Sequence, residues 1–158
     1  PNVFDIALIC AGGGGLTAGC SIIFKHHNPD IQIFTTEPEE WNDQERSYAS
    51  GTIQTAPASA SGLCDGLLTP EPGEIPFSIN LALGVQGLSC EEQYIFDAMQ
   101  LAKEAFAVEL EPSGAIALAN LIKHKDKFQK KNVFLTFSGG NVDPEVFNEC
   151  LAKAKLGL

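Results

Sequence analysis

The chain has 158 residues, of which 44% are hydrophobic and 8% aromatic, and its formal net charge at pH 7 is -10. This length and composition predict one folded domain with a sizeable core and exclude a disordered chain. The acidic charge disfavours nucleic acid and anionic membrane surfaces as partners, and no apolar run approaches the roughly 18 residues that a membrane span requires.

The cysteines and the first residues predict where in the cell the protein is found. Residues 1–5 contain no basic region of the kind that begins a secretory signal. The cysteines are odd in number and scattered, without a C-x-x-C pair: Cys10, Cys20, Cys64, Cys90 and Cys150. We therefore expect reduced thiols that pack mainly in the core of a cytoplasmic protein.

The first part of the chain predicts a β-helix-β unit. Residues 6–10 form a continuous apolar run, typical of a strand covered on both faces, and residues 31–36 predict a second strand. Between them, apolar side chains recur at helical spacing: Leu16, Cys20, Ile23 and Phe24. A unit of this size implies parallel strands joined by a right-handed crossover, so the predicted fold class is α/β.

The middle of the chain predicts a long irregular segment followed by a helix. Residues 51–80 contain several prolines and glycines, which favour loops that line a site or an interface. Ser89 and Glu92 have the spacing of a capping box and predict the start of a helix. The apolar side chains after them recur at helical spacing: Ile95, Met99, Ala102 and Phe106.

The last part of the chain predicts a helix, a strand and a second helix. Residues 115–122 are apolar nearly all round, which predicts a helix buried in a larger body than this chain alone provides. Residues 133–137 predict another buried strand. Asp143 as N-cap and Pro144 at the first helical position predict the start of the last helix.

Four consecutive glycines between the first strand and the first helix predict an anion site. These are Gly12, Gly13, Gly14 and Gly15. Without Cβ atoms the backbone can turn sharply and approach a ligand closely, so that successive N–H groups converge on a phosphate at the positive end of a helix. We therefore expect the chain to act around a phosphate.

Two interpretations of this loop compete. Gly13, Gly15 and Ala18 satisfy the dinucleotide pattern G-x-G-x-x-G/A, and Glu37 ends the next strand, where a ribose-binding acid would lie in a nicotinamide-dependent oxidoreductase. Alternatively, the loop is a phosphate cup for a smaller cofactor, because four glycines offer more free N–H groups than a pyrophosphate turn needs. The loop alone leaves both open.

Five segments occur in an order that carries a family resemblance. They are AGGGGLTAG at 11–19, EPEEWND at 37–43, LCDGLLTPEPGE at 63–74, EPSGA at 111–115 and SGGNVD at 138–143. Together they resemble the serine/threonine dehydratases and serine racemases of the fold-type II pyridoxal 5'-phosphate (PLP) enzymes. The resemblance implies the large domain of a tryptophan synthase β-like fold, with a largely parallel sheet covered by helices.

The resemblance implies a set of PLP-binding residues. The backbone N–H groups of Gly12 to Gly15 would hold the phosphate, where the structural alternative is a plain strand-to-helix turn. Ser138, followed by Gly139, would place its hydroxyl at the pyridine nitrogen, and a neutral partner there does not enforce protonation of the ring. Gly66 and Glu111 would lie near the ring.

The resemblance also implies a divalent metal site in the acidic segment. Glu37, the carbonyl of Trp41 and Asp43 would bind Mg²⁺, Ca²⁺ or Mn²⁺. Hard cations prefer oxygen ligands, and two carboxylates with one carbonyl leave the remaining positions to water. The structural alternative is a solvated acidic turn that includes Glu39 and Glu40.

The family's Schiff-base lysine, its substrate carboxylate loop and its acid/base serine are expected upstream of the glycine loop. No lysine in this chain matches that lysine. We therefore expect residues 1–158 to be the C-terminal portion of the large domain, without a catalytic residue of its own and inactive alone. Its partners would be the N-terminal portion, an amino-acid substrate and, in the complete enzyme, a second copy.

The implied reaction is elimination of water from a β-hydroxy amino acid to give a keto acid and ammonia. Serine, threonine and 3-hydroxyaspartate remain open as substrates, and so does racemisation of serine, because the residues that select among them are expected elsewhere. Two alternatives come from other classes. One is the nicotinamide-dependent oxidoreductase, and the other is a fragment or subunit that acts without catalysis.

Overall fold

A four-stranded parallel sheet organises the chain, whose computed structural model describes residues 3–155. The strands are β1 (Ile6–Cys10), β2 (Gln32–Pro38), β3 (Gln86–Cys90) and β4 (Val133–Leu135), in the spatial order β3-β2-β1-β4. β1 pairs with β2 from Ile6 opposite Gln32 to Cys10 opposite Thr36. The parallel pairing confirms the α/β class.

Residues 3–155 contain six helices, three of which make most of the helix contacts with the strands while the others pack mainly on neighbouring helices. The six are α1 (Gly15–His27), α2 (Asp43–Ser50), α3 (Glu74–Ala82), α4 (Glu92–Phe106), α5 (Pro112–Lys123) and α6 (Pro144–Lys153). Short 3₁₀ turns occur at Glu39–Trp41, Asp65–Leu67 and Lys125–Phe128. Within residues 3–155, no helix has the length and apolarity needed to cross a membrane.

β1 is buried on both faces, as its unbroken apolar sequence predicts. Its alternate side chains enter different clusters: Ile6 and Leu8 pack with Ala117 of α5, whereas Ala7 and Ile9 pack on the side of α1. This alternation is the period-2 geometry of a strand. The strand that leads into the glycine loop is therefore rigidly held.

Several helix predictions need correction. Ser89 does not cap α4: it lies in β3, and its hydroxyl donates to Glu45 Oε2 at 2.6 Å, while Glu91 occupies the N-cap position. Asp143 is the N-cap of α6 and Pro144 begins that helix, as predicted, but the Asp143 side chain makes no capping hydrogen bond. Local spacing thus located these helices better than it located their caps.

The burial predictions for α1 and α5 were partly wrong. In α1 the buried side chains are Thr17, Ala18 and Ser21, whereas Leu16 and Ile23 are exposed. α5 is buried by α4 and by β1, β2 and β3 of this same chain, so its apolar sequence does not require a larger body. The predicted last strand is also shorter than 133–137, because β4 ends at Leu135.

Candidate functional site

The glycine loop and the segment 138–141 lie side by side at one edge of the sheet. They follow β1 and β4, which are neighbouring parallel strands, so their C-terminal ends meet at the same edge. In open α/β sheets this edge is where ligands bind. Thr136 joins the two strand ends, because its Oγ1 accepts a hydrogen bond of 3.1 Å from the N–H of Cys10.

The glycine loop has the conformation that its sequence predicts. Gly14 has φ 86°, in the left-handed region that favours glycine, and it is the N-cap of α1. Among the residues described, the backbone N–H groups from Gly12 to Gly15 donate no hydrogen bond. A row of free N–H groups at a helix N-terminus is an anion cradle.

The carbonyls of the same loop are all engaged. Gly12 O accepts from Gln44 Nε2 at 2.6 Å, Gly13 O accepts from the N–H of Gly73 at 3.0 Å, and Gly14 O accepts from Asn80 Nδ2 at 3.3 Å. Residue spacing gave no signal for Gln44 or Asn80, since both contacts are formed by distant parts of the chain. Sequence reasoning therefore missed the supports of the loop.

Glu111 packs directly against the segment 138–141. The N–H of Glu111 donates to Gly139 O at 3.1 Å, and Glu111 Oε2 accepts from the N–H of Asn141 at 3.0 Å. Gly114 approaches the Gly139 backbone so closely that an added Cβ would overlap it. Ser138, the predicted partner of the pyridine nitrogen, is exposed at this edge.

Gly66 lies next to this group and to the glycine loop. Its N–H donates to Ser113 Oγ at 3.0 Å and to Asp65 Oδ1 at 2.8 Å. A Cβ added to Gly12 would lie 3.7 Å from Gly66 O and 2.8 Å from Thr69 Oγ1. The structure thus brings the predicted cofactor residues to one edge of the sheet, and it adds Thr69 and Ser113, hydroxyls of the same motifs that the sequence reading did not select.

The acidic segment is buried rather than solvated at its two key carboxyls. Glu37 is 1% exposed and Asp43 2% exposed, whereas Glu39 and Glu40 are exposed. Burial raises the pKa of Glu37 well above its usual range and raises the pKa of Asp43 to about 6. The interpretation as a solvated turn is therefore wrong for Glu37 and Asp43.

Glu37 caps the next helix. Its Oε1 and Oε2 accept hydrogen bonds from the N–H groups of Gln44 and Glu45, at 2.8 and 2.9 Å, in the first turn of α2. Burial of Glu37 weighs against the dinucleotide interpretation, because a ribose requires an accessible carboxylate, whereas a small cation would need only the lone pairs that these hydrogen bonds leave free. The Trp41 side chain also has a role of its own, because its indole N–H donates to Ser61 O at 3.2 Å.

The acidic segment offers an incomplete set of metal ligands. Asp43 Oδ2 is buried and accepts no hydrogen bond, which is costly for a carboxylate oxygen without a partner. Across residues 3–155 no cluster of three or more histidine, cysteine, aspartate or glutamate side chains has the arrangement of a metal site. A cation there would need Glu37, Asp43, backbone carbonyls and water, which is a donor set that Mg²⁺ and Ca²⁺ accept.

Comparison with known proteins decides the family. Residues 1–139 match the family described as pyridoxal-phosphate dependent enzymes. The chain belongs to this family. Membership favours the small phosphate cofactor over the dinucleotide at the glycine loop, as the five segments predicted.

The relatives of this PLP-family chain are racemases and ammonia-lyases. It is 39% identical over 142 residues to a serine racemase of Dictyostelium discoideum, covering 88% of this chain and 44% of the relative. It is 31% identical over 139 residues to the L-threo-3-hydroxyaspartate ammonia-lyase of Saccharomyces cerevisiae, covering 88% and 42%.

A solved structure agrees with the fold. Maize serine racemase superposes with a TM-score of 0.83 at 31% identity, covering 95% of this chain and 48% of the racemase. The fold is therefore that of the fold-type II PLP enzymes. The PLP-family chain spans about half the length of the relatives it matches.

Proposed function

We propose that the full-length protein is a PLP-dependent dehydratase that eliminates water from serine, threonine or 3-hydroxyaspartate and releases a keto acid and ammonia. Racemisation of serine is the second reaction proposed for the same site. Residues 1–158 are proposed to be the C-terminal portion of its large domain. The observation that carries the proposal is the row of free N–H groups at Gly12 to Gly15, beside Ser138 and Glu111 in a PLP-family chain.

The residues of this chain would bind and orient the cofactor rather than react. When bound, PLP supplies an electron sink for bond breaking at the substrate Cα. Gly12 to Gly15 would hold its phosphate, and Ser138 would offer a neutral hydroxyl to the pyridine nitrogen. Glu111 supports this arrangement because it fixes Gly139 and Asn141 through two hydrogen bonds.

We also propose that Glu37, Asp43 and the carbonyl of Trp41 bind Mg²⁺, Ca²⁺ or Mn²⁺. Support comes from the two buried carboxyls and from the unpartnered Asp43 Oδ2, whose burial cost a cation would offset. We also propose that the protein is a cytoplasmic homodimer. All five cysteines are free, and apolar side chains of α1 such as Leu16 and Ile23 are exposed.

The test is a spectroscopic and catalytic assay of the full-length protein. We expect a yellow protein whose absorbance band disappears on removal of PLP, and release of keto acid from at least one of the three hydroxy amino acids. Circular dichroism of the recovered serine reports racemisation. A colourless protein that binds NAD in a fluorescence titration would contradict the proposal in favour of the oxidoreductase.

A further inference from the structure

Three side chains form one continuous hydrogen-bonded relay behind the glycine loop. Asn80 Nδ2 donates to Tyr48 Oη at 3.0 Å, Tyr48 Oη donates to Gln44 Oε1 at 2.6 Å, and Gln44 Nε2 donates to Gly12 O at 2.6 Å. The second N–H of Asn80 Nδ2 reaches Gly14 O at 3.3 Å. The relay therefore begins and ends on carbonyls of the same loop.

The relay determines where the loop N–H groups point. In a trans peptide the carbonyl of one residue and the N–H of the next lie on opposite sides of the bond, and residues 3–155 contain no cis peptide. Holding the Gly12 carbonyl toward α2 therefore directs the Gly13 N–H away from α2. Gly14 O also accepts from the N–H of Ala18 at 3.0 Å, so Asn80 acts together with the first turn of α1 in directing the Gly15 N–H outward.

The backbone of Gly73 completes this control. Its N–H holds Gly13 O at 3.0 Å, which directs the Gly14 N–H away from the segment 70–73. Three successive peptide planes are thus held by their carbonyl sides. The free N–H groups of the loop are thus preorganised through hydrogen bonds to its carbonyls.

We propose that Gln44, Tyr48 and Asn80 are positioning residues that orient the Gly12 and Gly14 peptides so that the N–H groups of Gly13 and Gly15 face a bound phosphate. This inference rests on the proposed phosphate role of the glycine loop. It goes beyond that role because the three side chains hydrogen-bond to the loop carbonyls and to one another, and not to the N–H groups that would face the phosphate.

The chemistry of the three side chains fits this role. Gln44 and Asn80 are fully buried and Tyr48 is half-buried, so the hydrogen bonds form in a low dielectric and strengthen one another along the relay. Burial raises the pKa of Tyr48 to about 12, so its hydroxyl remains a donor at neutral pH. All three groups are neutral and would not repel a phosphate dianion.

Contacts outside the relay hold Gln44 and Tyr48 in place. Glu37 Oε1 accepts from the backbone N–H of Gln44 at 2.8 Å, which anchors the first turn of α2 beneath the Gln44 side chain. The Tyr48 ring stacks on Phe77 of α3, with centroids 5.8 Å apart and an interplanar angle of 6°. The stacking should keep the ring in place in Tyr48→Phe, so this substitution removes the hydroxyl with little change in packing.

The experiment measures PLP binding to the apo form of the full-length protein. Tyr48→Phe is expected to raise the Kd for PLP about 5-fold, and Gln44→Leu and Asn80→Leu about 10-fold or more, because each removes hydrogen bonds that hold the loop. The ³¹P resonance of bound PLP should shift in all three variants. Ser89→Ala is the matched control, because it removes one hydrogen bond that anchors α2 to β3 but does not touch the loop.

Inorganic phosphate is titrated in parallel as a second probe. If the variants are folded by circular dichroism and bind PLP with the wild-type Kd and ³¹P shift, the positioning role is wrong and the proposed function stands. If the wild type binds phosphate but not PLP, the proposed function fails and the variants' phosphate Kd decides the positioning role. If it binds neither, both are overturned.

Discussion

Position 14 requires glycine for two reasons, its backbone conformation and the lack of space for a Cβ atom. Its φ of 86° is strained for any side chain, and an added Cβ would lie 3.1 Å from Gln44 Nε2 and 3.4 Å from Pro76 Cβ. The first requirement concerns the backbone alone, whereas the second concerns the relay that holds the loop. Comparing Gly14 with a second glycine of positive φ that lies away from the loop tests whether the loop conformation matters for ligand binding.

Gly14→Ala should therefore lower both stability and phosphate affinity. We expect a loss of about 1–2 kcal/mol in the free energy of unfolding from the left-handed conformation, and a weaker Kd for PLP. Gly84→Ala is the control, since Gly84 has φ 71° and nothing within 4 Å of an added Cβ. Urea unfolding should show a similar loss for both variants, and a parallel loss of PLP affinity in Gly84→Ala would refute the assignment.

Asp43 predicts a pH dependence of stability. Its pKa in the folded state is about 6, above the unfolded value of 3.8. The folded state therefore binds more protons between these values, so the contribution of Asp43 to stability is present below pH 4 and is lost as the pH rises through 6. Burial of an ionised carboxylate is the physical cause.

The corresponding measurement is urea unfolding of wild type and Asp43→Asn at pH 4 and pH 7, with chelator present. From pH 4 to pH 7, the free energy of unfolding of Asp43→Asn should rise relative to that of the wild type by on the order of 2 kcal/mol, because asparagine cannot ionise. At pH 7, Mg²⁺ should raise the free energy of unfolding of the wild type and leave that of Asp43→Asn unchanged. An equal response of the two proteins to Mg²⁺ would rule out Asp43 as a ligand.

At the scale of elements, α2 and β3 are where the sequence reading was weakest. Neither was predicted, because β3 contains Gly87 and polar residues, and α2 has few apolar side chains. α3 was missed as well, because Gly73 and Pro76 placed its first turns in the predicted irregular segment 51–80. The pairing of α2 and β3 depends on a close approach: a Cβ on Gly87 would overlap the backbone of Glu45. Such a contact between distant segments leaves no periodic signal in the sequence.

Gly87→Ala should displace α2 from the sheet. We expect a loss of about 3 kcal/mol or more in the free energy of unfolding, because backbone rather than a flexible side chain occupies the space. Gly19→Ala in α1 is a useful contrast, since nothing lies within 4 Å of its added Cβ and alanine favours a helix by about 0.5–1 kcal/mol. Equal effects in thermal unfolding would contradict the close packing of α2 on β3.

At the scale of the whole molecule, the features predicted from the sequence are those that depend on local residue patterns and on family motifs. The sequence predicted the strand at 6–10, the glycine loop and the parallel class, because an apolar run and four glycines are local signals. It did not predict that Glu37 caps α2 or that Asn80 supports Gly14, because these contacts join residues 7 and 66 positions apart. The supports of the site therefore required the structure.

The isolated chain should bind phosphate and lack activity. The apolar residues around Ile6 and Ala115 are buried within this chain, so they need no second chain to cover them. Lys103 pairs with Glu109, Lys123 pairs with Glu91, and Lys25 donates to Pro29 O. Without an amine positioned at the glycine loop, PLP would bind only through non-covalent contacts.

This prediction is tested by expressing residues 1–158 alone and with the remaining portion of the full-length protein. The chain alone should bind PLP reversibly, remain unchanged by borohydride and release no keto acid from serine, threonine or 3-hydroxyaspartate. Co-expression should restore turnover, because the proposed function assigns the reacting lysine to that portion. Lys25→Ala and Lys103→Ala serve as controls, since neither should alter PLP binding. Borohydride trapping of PLP on the isolated chain, lost in one of these two variants, would show that a lysine of this chain reacts and that the assigned division of roles is wrong.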